Sequence, residues 1–156
     1  MPPILYNGRL IISIAIASIL LLSSSCKKIK AAAGDRSALE SLFEENILNR
    51  NFIVHLATDN GTNLTGQFTG YNFILTKTTS YYNGIMTATK AGATYTGTWA
   101  CNEDFSKLDI SITNPTTPPE FIFINRAWRF AKKAFPIMEL SPWGTTEPRV
   151  LHMERL

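Results

Sequence analysis

The sequence predicts a mostly β protein: an antiparallel meander of eight or nine strands closing into a barrel, preceded by one N-terminal amphipathic helix. Three observations carry that prediction. The apolar period changes from 3.6 residues to 2 at Phe52. From there onward, short alternating segments follow one another through Gly, Asn, Pro and Thr turns, with no helical stretch between them. Ahead of both, an uncharged run over residues 10–22 stops just before Cys26 and belongs to export rather than to the fold.

Residues 1–25 read as a signal segment. The free amine and Arg9 give it a positive start, and its 13 apolar-run residues fall short of the ~20 that a bilayer span needs. Ser23, Ser24 and Ser25 are small, as a signal-peptidase pocket requires. The competing reading is an uncleaved N-terminal anchor with an incidental cysteine. Removing residues 1–25 from the 156 leaves 131, enough for one domain with a real core. Of 15 Lys and Arg only Arg9 goes with them, leaving 14 basic against 12 acidic residues. That balance does not point to nucleic acid.

Residues 26–34 read as a lipid-attachment cysteine, Cys26, and a short tether. Lys27, Lys28 and Lys30 would sit at headgroup level, each attracting anionic lipid by about 1 kcal/mol. An acylated Cys26 would leave Cys101 without a disulfide partner, and Cys101 reads as a buried, inert thiol.

Residues 35–156 make the single domain. Asp35 or Ser37 can cap a helix over about 36–49, and Ser37 with Glu40 has capping-box spacing. Leu39, Leu42, Phe43 and Ile47 make one apolar stripe, which predicts packing on the outside or across one end of the barrel. In the first strand Phe52, Val54 and Leu56 alternate with Ile53, His55 and Ala57, and Asp59-Asn60-Gly61 turns the chain. Further strands are expected over 65–76, 85–89, 93–101, 107–113, 121–125, 127–133, 136–140 and 149–155. Gly66 and Gly70 mark bends, and Pro115 to Pro119 must be a loop.

Several of these segments carry a family resemblance. Gly97-Thr98-Trp99, the turn Asn102-Glu103-Asp104 and Lys107-Leu108-Asp109-Ile110 resemble the small lipocalin-like lipoproteins common in Bacteroidota. Ala127-Trp128-Arg129-Phe130 and the closing Val150 to Leu156 fit their late strands, and Ser23 to Cys26 resembles a bacterial lipobox. The resemblance covers roughly residues 50–156 beyond the lipobox. It implies a lipocalin-like meander barrel held by a diacylglyceryl group on Cys26. The lipocalin Gly-x-Trp lies near the first strand, unlike this Gly-Thr-Trp, so no lipocalin ligand residue carries over. Surface-exported lipoproteins of this type are acidic just after the cysteine; the lysines here favour an outer-membrane anchor facing the periplasm.

Candidate binding residues are aromatic. Tyr71, Phe73, Trp99, Trp128 and Phe130 either line a ligand cavity or fill the barrel, and periodicity alone does not separate the two. Trp143, in Ser-Pro-Trp-Gly-Thr-Thr-Glu-Pro, either contacts an apolar or sugar ligand at the barrel mouth or folds back to plug it. Arg126, Arg129, Lys132 and Lys133 form the densest basic cluster of the domain, a solvated face or a contact for an anionic partner. His55 and His152 are too few for a His-rich metal site. Glu44-Glu45 and Glu103-Asp104 lack the contrasting environments an acid–base pair needs. No nucleophile elbow or phosphate-binding Gly-rich loop is present. The expectation is therefore a membrane-anchored, non-enzymatic envelope protein without cofactor or metal, binding a small apolar ligand or an envelope protein. The alternative is a structural or assembly lipoprotein with a filled core, acting through its outer surface.

Overall fold

Helical spacing ends where Asn49 enters the left-handed region (φ 57°), a conformation that Asn tolerates better than most side chains. The computed structural model describes residues 36–156, with the side chains of Lys133 and Ala134 excepted. Cys26, the signal segment and the tether lie outside the described residues. Helix α1 occupies residues 36–46, and Leu39–Leu156 form one compact unit. No helix among the described residues is long and apolar enough to cross a membrane.

The strands are β1 (Asn51–Asp59), β2 (Thr62–Asn63), β3 (Asn72–Lys77), β4 (Asn83–Lys90) and β5 (Ala93–Cys101). They continue as β6 (Lys107–Asn114), β7 (Ala127–Ala134), β8 (Ile137–Pro142) and β9 (Arg149–Arg155). Every neighbouring pair is antiparallel. β1 and β3 to β9 follow in chain order, and β1 pairs with β9 to close the eight-stranded barrel, with β2 as an extra strand beside β1. Closure pairs the first long strand with the last, so neither β1 nor β9 is left as an open edge to recruit another chain.

Inward side chains fill the barrel, among them Phe52, Phe73, Met86, Trp99, Trp128 and Met138, each 0–1% exposed. β1 departs from simple alternation. A bulge between Val54 and Leu56 makes Phe52, Val54 and then Ala57 the buried positions, with Leu56 only half-buried. One extra residue reverses the parity of everything after it.

Two expected strands take other forms. Thr65–Phe68 is a 3-10 turn, and the strand begins only at Asn72, after Gly70 with φ 83°. Phe121–Ile124 is a short helix, α2. Pro118 and Pro119 set its start, because their fixed φ is close to helical and their carbonyls accept the N–H groups of Phe121 and Ile122. A short apolar run has the same appearance in a buried strand and a buried helical turn.

These elements close the barrel ends. At one end α1 and its exit turn bury Phe43, Ile47 and Leu48, with Phe43 stacked on Phe105 at 4.5 Å and tilted against Trp99 at 5.5 Å. Leu42, expected in the same stripe, is 43% exposed. Glu40 accepts from Tyr82 Oη, and Glu44 from Lys77 Nζ and Tyr81 Oη, tying α1 to the β3–β4 connection. At the other end α2 and the 3-10 turn bury Phe68, Phe121, Phe123 and Ile124.

Candidate functional site

The aromatic side chains divide between interior and outer wall. Tyr71 and Phe73 lie 5.9 Å apart at the α2 end, and Phe121 of α2 packs on both, 5.0 Å from Tyr71 and 6.1 Å from Phe73. Tyr95 meets the same Phe121 edge-on at 5.3 Å. Trp99 belongs to the α1 end, where its Nε1 donates to the Thr76 carbonyl at 3.1 Å. Trp128 lies against Phe123 and donates its buried Nε1 to the Ile124 carbonyl at 2.8 Å. Phe130 is half-buried and joins Leu39, Leu42, Phe43, Phe105 and Phe135 around an apolar cavity of about 20 Å³ beside α1. That volume suits about one water molecule, yet its walls offer almost no polar surface to hold one.

Polar groups at the α2 end secure the plug. Tyr71 Oη donates to Glu120 Oε1 at 2.8 Å, and Lys90 Nζ stands 4.5 Å over the Tyr71 ring. Burial, then the Glu120 contact, pushes the Tyr71 hydroxyl well above its ordinary ionisation range. Glu120, Tyr95 and the helical form of Phe121–Ile124 were not signalled as site features by strand periodicity. Pro118-Pro119 was the available cue for α2.

The basic cluster separates into different environments. Arg126 is half-buried, donates Nε to the Phe123 carbonyl at 3.0 Å and faces Glu147 at 3.6 Å. Burial first, then the nearby Arg149, lowers its pKa from the ordinary arginine value. Arg149 bridges Asp59 and Glu147, each at 2.8 Å, joining the β8–β9 loop to the end of β1. Lys132 pairs with Glu139 at 3.4 Å. Arg129 is exposed and has no ion-pair partner among the described residues.

Trp143 stands on the outer wall. Leu108, Trp128 and Pro142 are buried, so their strand neighbours face outward. Trp143 N–H donates to the Ala127 carbonyl at 3.0 Å, and Ala127 pairs with Asp109. One row across the wall is thus Asp109, Ala127, Trp143; the adjacent row is Lys107, Arg129, Ser141. Lys107 Nζ bridges Asp109 at 2.8 Å and stands 6.0 Å from the Trp143 ring centre. Trp143 is 41% exposed, with Lys107 the cation nearest its ring and Arg129 and Asp109 on the same outer face of the wall.

Comparison with protein families, curated proteins and solved structures finds no match.

His55 Nδ1 lies 3.2 Å from Glu154, and no group of His, Cys, Asp and Glu among the described residues is placed to hold a metal ion. Cys101, expected to be buried, is half-buried, with its backbone N–H donated to the Tyr82 carbonyl at 2.7 Å.

Proposed function

We propose that this chain is a membrane-anchored envelope lipoprotein whose filled barrel acts through its outer surface, without catalysis. The supporting observation is Phe121: it occupies, against Tyr71, Phe73 and Tyr95, the space in which a barrel of this size would hold a small apolar ligand. Packed aromatics continue to the α1 end, where Phe43 and Phe105 close over Trp99. Acylation of Cys26 supplies the anchor. The residues 27–34, at no more than about 3.6 Å each, hold the domain within some 30 Å of the bilayer. In this reading the outer membrane carries the anchor and the barrel faces the periplasm.

Native mass spectrometry of the membrane-extracted full chain tests both halves. The expected result is an acyl mass on Cys26, loss of membrane retention in Cys26→Ala, and no retained apolar molecule. A stoichiometric apolar ligand released on unfolding would return the interior to a carrier role. An unmodified Cys26 would remove the anchor.

A further inference from the structure

We propose that the outer wall around Trp143 binds a polysaccharide bearing carboxylate groups, an inference that rests on the outer-surface reading above. The ring is displayed on a fixed support. Its backbone N–H is bonded to Ala127, and Pro142 precedes it. Gly144 turns the chain at φ 69°. The far end of the loop is held by Glu147 to Arg149 and by the Asn60 N–H donated to the Pro148 carbonyl at 3.1 Å. An aromatic already ordered in the free protein loses little freedom on binding.

The surroundings of the ring select the ligand. Ala127 is the smallest residue of its row and raises no side chain beside the ring. A pyranose presents a face of C–H groups to an aromatic ring, whose face is electron-rich. Its hydroxyl edge then meets Asp109, Lys107 and Ser141, which supply both acceptors and donors. Lys107 and Arg129 give two cations against one carboxylate, and Arg129 is exposed without an ion-pair partner among the described residues. That excess favours a sugar polymer carrying carboxylates over a neutral one. A protein partner would ask for several clustered anchors within an interface of about 800 Å² on this side. Here one aromatic stands among charged groups, while the other exposed large apolar side chains among the described residues, Leu42, Ile85, Ile122 and Leu156, belong to α1, β4, α2 and the C-terminal residue.

Trp99 and Trp128 are buried, so acrylamide quenching of tryptophan emission in the detergent-solubilised full chain reads Trp143. Polygalacturonate is expected to protect the emission, and its methyl ester, with the same backbone and no charge, to protect it much less. In a pull-down on immobilised polygalacturonate, Trp143→Ala should weaken binding about tenfold and Arg129→Gln several-fold, both with unchanged near-ultraviolet circular dichroism. Undiminished binding by Trp143→Ala would overturn the proposal, as would equal binding of the methyl ester. Retention by anionic phospholipid vesicles without polygalacturonate binding would replace it with a lipid surface. An apolar ligand found inside the barrel would sink the filled-barrel reading and leave the quenching result standing.

Discussion

Asn125 serves Ile112 as a substitute strand. Its Nδ2 donates to the Ile112 carbonyl at 2.9 Å, and its Oδ1 accepts the Ile112 N–H at 2.8 Å. The need arises because β6 and β7 pair only through Lys107–Asp109 and Ala127–Arg129 before the chain leaves to form α2. The β1–β3 seam is shorter still, with two registered pairs, and there the 3-10 turn intervenes: Thr65 Oγ1 accepts the Ala57 N–H at 2.9 Å. The barrel thus closes over two plugs by replacing missing ladder bonds with side chains.

Asn125→Ala should strand both Ile112 groups inside the protein. An unsatisfied buried polar group costs about 1–3 kcal/mol, so stranding two predicts a loss of about 2–6 kcal/mol. Urea unfolding should show a lower midpoint with an unchanged slope. A loss within 0.5 kcal/mol, the ordinary range for surface substitutions, would mean that water serves Ile112 as well as Asn125 does.

Phe121→Ala empties the space between Tyr71, Phe73 and Tyr95. A buried Phe→Ala change costs about 3–5 kcal/mol, and an apolar void of this kind takes up small aromatic molecules. The variant should therefore be less stable than the parent and be stabilised by benzene, which should leave the parent unaffected. Equal stabilisation of both would show that the parent already has room inside.

Much of this architecture is legible in the sequence, and the exceptions have physical causes. Period-2 alternation marks β4 and β6 within a few residues, because each buries one face and solvates the other, whereas β5 buries only Trp99. Phe121–Ile124 is buried at three of its four positions, so no polar face reveals its period. The bulge at His55 reverses a parity that the sequence continues without interruption. Trp143 is legible as an exposed loop aromatic, but its neighbours across the wall, Asp109 in its own row and Arg129 in the adjacent one, are not. They meet it through cross-strand register, which joins residues distant along the chain.

Gly84→Ala should be among the most damaging single changes. A Cβ there would fall 1.9 Å from the Thr76 carbonyl oxygen and 2.8 Å from Trp99 Nε1, the pair joined by the indole hydrogen bond. Gly84 is therefore the gap through which Trp99 reaches Thr76. Overpacking against backbone should cost about 3 kcal/mol, measurable as a lower thermal midpoint. Adding Trp99→Phe removes the indole nitrogen but leaves the carbonyl in place, so the double variant should not recover. Recovery would assign the strain to the indole alone.

Tyr71 predicts an alkaline weakness located at the plug. Its hydroxyl ionises in the folded protein well above the ordinary tyrosine value of 10.0, first because it is buried and then because it donates to Glu120. A raised folded-state value means that the unfolded chain releases this proton first. The contribution of Tyr71 is complete below pH 10 and is lost as pH rises from there toward the folded-state value. Absorbance titration at 295 nm should show one tyrosine that resists ionisation until the protein unfolds, and Tyr71→Phe should remove that late step. The same substitution should flatten the fall of urea stability with pH over the alkaline range. It deletes the proton at issue while keeping the ring that packs on Phe121. An unchanged slope would assign the alkaline loss to another group and release Glu120 from its role as the latch on α2.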